Sequence, residues 1–203
     1  MKNSSLLWQK TLSKGYYQVF KVKPEHSIGV KQVHGAEVVS INEASKSLLH
    51  ADGLFWLWNE LHSNQLPTVL TADCLPILLI GEIGGAILHA GWRGIKAQIY
   101  AHHLVEKIKP REFFIGPSIQ QSSFEVTEEF LEFFPKKEFF HKKNDRYVFN
   151  LQQQAIYDLK KLYPNIEGDN CAIDTYSDNR FQSYRRDKKN RTNNYNVFNL
   201  SIL

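Results

Sequence analysis

Between Leu66 and Gly91 the chain carries three short apolar runs, PTVL, PILLI and AILHA, with TADC between the first two and Gly84-Gly85 opening the third. Each run is bounded by Gly, Pro or Asp and is short, which favours buried strands over a helix. The segment before it reads as extended chain. Tyr17, Val19, Phe20 and Val22, then Ile28, Val30 and Val33, then Val38, Val39 and Ile41 are all strand-forming types.

Helices follow. From Ile95 to Ile108 the residues Ala101, Leu104, Val105 and Ile108 share a helical face, and Pro110 stops the segment. Thr127 with Glu128 and Glu129 predicts an N-cap with acids in the first turn. Asn150 predicts the cap of a helix with Leu151, Ala155, Leu159 and Leu162 on one face, ended by Pro164. Cys171–Tyr176 and Tyr195–Leu200 read as closing strands. Strands and helices mix without a regular βαβ alternation, so the expected class is a single-domain α+β sandwich over residues 1–203, not a doubly wound sheet.

Several classes are set aside at this stage. No run of about 18 apolar residues exists to span a membrane. The opening MKNSSLLWQK lacks the apolar stretch of a signal peptide. Two cysteines, Cys74 and Cys171, are too few for a secreted disulfide framework, which points to a reducing, cytoplasmic location. The net charge of +4 decides little about partners. The tail Arg180–Arg191 holds six basic residues, but also Asp187 and only Phe181 and Tyr184 as aromatics, so no nucleic-acid surface is expected.

Of the eight histidines, His26, His50, His62 and His141 sit in polar surroundings, and His102 and His103 lie on an expected helix. His34 and His89 differ, because each sits where an apolar strand meets a glycine-bearing turn. Cys74 also stands at a strand end; alone it would read as a small buried hydrophobe. Together, two imidazoles and a thiolate suit an open zinc site with a fourth position free. Their spacings of 40 and 15 residues match no local zinc-finger pattern. The same residues also read as a Cys74 nucleophile with His89 as its base, and spacing does not separate the two. Asp73, next to Cys74, speaks against a free thiolate. Arg93, Arg185 and Arg186 suit bidentate contact with phosphate, or structural ion pairs with Asp73 or Asp187.

The segments KQVHG, ADGLFW, TADCLPILL, HAGWRG, GPSI followed by FEV, and QSYRRD occur in that order. From about Ile28 to Arg191 the chain thereby resembles the YfiH-like laccase-domain family, named for multicopper polyphenol oxidase and later for purine nucleoside phosphorylase. The resemblance implies a sandwich grouped with Cys/His deamidases of toxin and chemoreceptor type. It implies zinc held by His34, Cys74 and His89; those residues are expected to be catalytic, and Arg93, Arg185 and Arg186, by their own chemistry, to bind substrate. Copper is implied only by the family's label, and the HxH clusters of a multicopper oxidase are absent. The implied reactions are phosphorolysis of adenosine, inosine and methylthioadenosine, and adenosine deamination, with purine nucleoside and phosphate as small-molecule partners. The rivals are a Cys/His amidase or deamidase, such as one editing a peptidoglycan precursor, and a non-catalytic binding module. The chain departs from the family's pattern in its short segment before His34. It also has Ser122 and Ser123 after GPSI, Asp174 before Thr175-Tyr176, and Asn150 and Asn190 where Asp and Gly are usual.

Overall fold

The computed structural model describes residues 5–188 and 192–200. Its strands in chain order are β1 (Leu6–Leu12), β2 (Gly15–Phe20), β3 (Ser27–Ile28), β4 (Val38–Ser40), β5 (Gly53–Leu57), β6 (Leu66–Thr71) and β7 (Leu75–Gly81). They continue with β8 (Gly84–Ala90), β9 (Pro110–Ile115), β10 (Glu125–Val126), β11 (Phe140–Lys143), β12 (Arg146–Phe149), β13 (Glu167–Asn170) and β14 (Asn194–Leu200). The α-helices are α1 (Ile41–Ala44), α2 (Trp92–Lys96), α3 (His103–Lys107) and α4 (Leu151–Leu162). Six strands form a central sheet in the order β13-β9-β7-β8-β5-β4, five form a second, β1-β2-β14-β6-β3, and β10-β12-β11 form a small third. The class is mixed α+β, in one domain.

The central strands are apolar throughout because both of their faces are covered. Leu75, Ile77 and Leu79 join Phe55, Leu88, Phe113 and Ile115 in a core completed by Ile95, Ile99, Val105, Leu151, Ala155 and Leu159 from the helical side. Leu78 and Ile80 join Leu54, Trp56, Ile87 and Phe114 against Tyr17, Val69 and Phe198 of the second sheet. Successive side chains alternate between these two cores, so no polar face survives in the sequence. Each fully buried Leu, Ile or Phe contributes about 1.5–3 kcal/mol relative to exposure, which makes β7 and β8 a stiff base for residues at their ends. Gly85 is needed for this packing, since a Cβ there would lie 2.6 Å from the Trp56 ring.

Several local expectations change. Ile95–Ile108 is not one helix but α2, a 3-10 turn at Ile99–Ala101, and α3. Gln98 takes a left-handed conformation, φ 53°, and His102 is extended and caps α3 by accepting from Leu104 N. The periodic residues still reach the core; the backbone between them is broken. Ile41 opens α1 and is not in a strand. Ser40 accepts from Asn42 N and Glu43 reaches back to Ser40 N, a capping box written in the sequence as Ser-x-x-Glu. Cys171–Tyr176 is not a strand: Ala172 sits at φ 52°, and β13 ends at Asn170. Thr127 precedes a 3-10 helix, Glu128–Phe133, with no side-chain cap to it. Asn150 does cap α4, accepting from Gln153 N at 3.0 Å.

Candidate metal and active site

Cys74 lies where the chain crosses from β6 in one sheet to β7 in the other. The crossing is tight, with Asp73 at φ 91°, a conformation non-glycine residues hold only when their surroundings enforce it. The enforcement is visible. The Asp73 carboxylate accepts from Thr175 Oγ1 at 2.7 Å and from Arg185 N at 2.7 Å, and its carbonyl accepts from Ile119 N at 3.0 Å. His89 is the penultimate residue of β8, opposite Pro76 of β7. His34 is not at a strand end as expected. It stands in the loop between β3 and β4, at φ 61°.

One buried carboxylate holds this loop against β8. Asp52, fully buried, accepts from Val33 N at 3.3 Å, His34 N at 2.9 Å and Gly35 N at 2.7 Å. The same group lies 2.8 Å from His89 Nδ1. A proton on Nδ1 would leave Nε2 of His89 for another partner, and Cys74 is the ring's second hydrogen-bond partner. The His34 and His89 rings stand edge to face with centroids 4.7 Å apart. One ligand atom from each of His34, Cys74 and His89 falls within 4.8 Å of the others. These residues fit a metal by donor type and by space. A Cβ on Gly91 would sit 3.0 Å from Cys74 Sγ and 3.8 Å from His34 Cδ2, so glycine leaves the approach to the donors open.

Burial alone would push the Cys74 thiol up, but hydrogen bonds and charge from His34 and His89 outweigh it and bring it down to about 7. Burial would lower His89; Asp52 and Cys74 outweigh that and raise it to about 9. Asp52 stays below its ordinary range, because His89 and the amides of Gly35 and His34 overcome its burial. The expectation that Asp73 would disfavour the thiolate is not met, since its carboxylate is turned to Thr175 and Arg185. The donors open into a cavity of about 820 Å³ lined by Lys31, Trp92, Arg93, Phe124, Tyr184 and Arg185, among others.

The family model for multi-copper polyphenol oxidoreductase laccase matches residues 13–198. The chain belongs to this family. It is 33% identical over 181 residues to purine nucleoside phosphorylase RC0672 of Rickettsia conorii, covering 81% of this chain and 72% of that protein. To purine nucleoside phosphorylase YfiH of Shigella flexneri it is 32% identical over 183 residues, 81% of this chain and 70% of the other. The crystal structure of Neisseria meningitidis protein NMB0706 superposes with a TM-score of 0.74 at 24% identity, over 86% of this chain and 75% of that one, and shows the shared fold.

Within this laccase-family chain the three arginines part ways. Arg93 lies over Trp92, 4.5 Å from the ring centroid, and lines the cavity. Arg185 lines it too, anchored by Nη1 and Nη2 on the Glu125 carbonyl at 3.2 Å. Arg186 spends all five N–H donors inside the frame, on Asp187 and on the carbonyls of Thr175, Tyr176 and Phe181. Ser123 Oγ donates to Asp174 Oδ2 at 2.6 Å. Of the basic tail, Arg180 pairs with Asp178, while Lys189, Asn190 and Arg191 lie outside the described residues. Asp52 is the residue that sequence reasoning missed. Its signal was present in ADGLFW, but nothing in a linear motif says that its carboxylate faces His34 and His89. Among the described residues no helix is long and apolar enough to cross a membrane.

Proposed function

We propose that this chain is a zinc-dependent enzyme acting on purine nucleosides, cleaving them with phosphate and deaminating adenosine. The observation that carries the proposal is the His34–Cys74–His89 donor set opening onto the arginine-lined cavity, in a chain whose relatives are named purine nucleoside phosphorylases. Two imidazoles and a thiolate suit zinc and leave a coordination position free. When bound, zinc would supply Lewis acidity at the donor end of the cavity.

The chain's own residues supply the rest. Asp52 fixes the proton on His89 Nδ1, so the ring keeps one orientation whatever occupies the cavity. Arg93 and Arg185 place guanidinium charge where an anion such as phosphate can be held and oriented. Phe124 offers aromatic surface to a base, while Trp92 stacks on Phe133 and carries Arg93 over its ring. Arg186 acts one step away by fixing the turn that carries Arg185. The same reading places the protein in the cytoplasm, in keeping with two free thiols, Cys74 and Cys171.

A second reading rests on the Asp52–His89–Cys74 chain of contacts, with the thiol held at about 7. That is how a thiol hydrolase activates its nucleophile, and it would make the chain an amidase or deamidase. One experiment separates them. Protein purified without chelator should carry about one zinc per chain and convert adenosine with phosphate to adenine or inosine. Chelation should abolish both, and zinc should restore them. A metal-free preparation that releases no purine product but hydrolyses amides with loss of activity on Cys74 alkylation overturns the zinc reading. Copper in place of zinc overturns the metal assignment.

A further inference from the structure

Helix α2 lends Trp92 and Arg93 to the first cavity, and Ile95 and Lys96 to a second of about 470 Å³. This second cavity is bounded by α2, α4 and the segment from Phe133 to Glu138. Its two ends differ in chemistry. At the buried end Gln154, 3% exposed, donates Nε2 to Asp158 Oδ2 at 2.9 Å, while its Oε1 is buried without a partner. Asp158, 9% exposed, also accepts from the Tyr100 hydroxyl, and among the described residues no cation pairs with it. Burial, and then Asp158, hold that phenol protonated far above its ordinary range. The buried end therefore presents one acceptor without a donor, Gln154 Oε1, beside a carboxylate without a cation, which native interiors rarely leave unmet.

The outer end is cationic. Lys96, Lys136 and Lys161 line it; Lys136 pairs with Glu138 at 3.3 Å, while Lys96 and Lys161 have no carboxylate within ion-pair distance among the described residues. Phe133, Phe134 and Tyr157 wall the space between. Gln154 and Lys161 stand two turns apart on α4, about 10 Å along the helix axis. A free amino acid carries its ammonium and carboxylate on one carbon and is too short to meet both ends. A flat aminated base on a phosphorylated sugar has that reach.

We propose that this second cavity binds a nucleoside monophosphate with an exocyclic amine. The amine donates to Gln154 Oε1 and Asp158, the base displaces Lys96 and Lys136 from the Phe133 and Tyr157 rings that they cover, and the phosphate meets Lys96 and Lys161. The site is separate from the donor cluster of the proposed reaction and stands or falls independently of it.

The test is calorimetric titration of the full chain with adenosine 5′-monophosphate, inosine 5′-monophosphate and inorganic phosphate. Adenosine monophosphate should saturate the chain below about 1 mM. Inosine monophosphate should bind about tenfold more weakly or worse, because its carbonyl sets an acceptor against acceptors. Lys96 and Lys161 are exposed, so the double variant Lys96→Glu/Lys161→Glu should fold and lose about tenfold or more in affinity. Cys74→Ala should bind adenosine monophosphate as the parent does, which separates this site from the donor cluster. The proposal is overturned if the nucleotide does not saturate, as it would not were a buried water simply satisfying Gln154. It is equally overturned if both nucleotides bind alike, if the charge reversal has no effect, or if Cys74→Ala abolishes binding.

Discussion

The three donors of the candidate metal site are supported in two different ways. Cys74 and His89 stand at the ends of β7 and β8, which are buried along their whole length in the central sheet. His34 is exposed on a loop in a left-handed conformation, and its backbone is held by one carboxylate. The first pair inherits its position from the hydrophobic core. The third donor is placed by hydrogen bonds to Asp52. A site built this way has a rigid half and a tethered half, and the tether also orients His89. Its positional accuracy therefore hangs on a residue that does not itself face the cavity.

The strongest way to break this contrast is Asp52→Ala. It strips the partner from three loop amides and from His89 at once. We expect a loss of about 3–5 kcal/mol in denaturant stability, the scale for removing one member of a buried charged pair, together with loss of metal. Asp52→Ala with metal content and stability of the parent would remove the tether from the account.

Next comes the pair His89→Ala and His34→Ala. Both should drop metal content strongly, because each removes a donor. Only His89→Ala should also unfold easily, at up to about 3–5 kcal/mol, since it leaves the buried Asp52 with its three loop amides but without its imidazole partner. His34→Ala should cost less than about 1 kcal/mol, as surface changes usually do. Equal stability losses in the two variants would refute the division into rigid and tethered halves.

The thiols offer a gentler comparison. In chelated protein Cys74 sits at about 7, while burial pushes Cys171 up to about 11. Iodoacetamide at pH 8 should therefore modify Cys74 well before Cys171, and metal should protect Cys74. Stability follows a different course. Cys74 is depressed from its ordinary 9.0, so its contribution is full above that value and is lost as pH falls through about 7. His89 is raised from 6.5, so its contribution is full below that value and is lost as pH rises through about 9. Between about 7 and 9 the two slopes oppose, and the melting temperature of chelated protein should stay nearly flat while alkylation accelerates. A steep monotonic change in melting temperature across that window would show that the two groups are not paired.

The smallest expected effect is Gly91→Ala. Its backbone, at φ −70° and ψ 172°, accepts alanine without strain. The added Cβ crowds Cys74 Sγ, so metal affinity should fall about tenfold, the scale of changes beside a metal ligand, with little loss of stability. Unchanged affinity would mean that the donors bind from another side.

Much of this protein was legible in order along the chain. PTVL, PILLI and AILHA announced buried strands because a sheet covered on both faces needs apolar side chains at every position. Asn150 announced the start of α4 because a capping oxygen acts within three residues. His89 and Cys74 stood out at the ends of apolar runs and His34 beside Gly35, although His34 proves to lie in a loop and not at a strand end. These signals are local, or depend only on whether a position is buried. What the tertiary structure alone decided is which distant groups meet. Asp52 ties a loop to β8, Asp73 braces a crossing with Thr175, and Arg186 is consumed by the frame while Arg185, one residue earlier, lines the cavity. Adjacent residues can point to opposite environments, and residues a hundred apart can share one hydrogen bond. The direction of a side chain is set by the packing of whole elements, and no linear pattern encodes it.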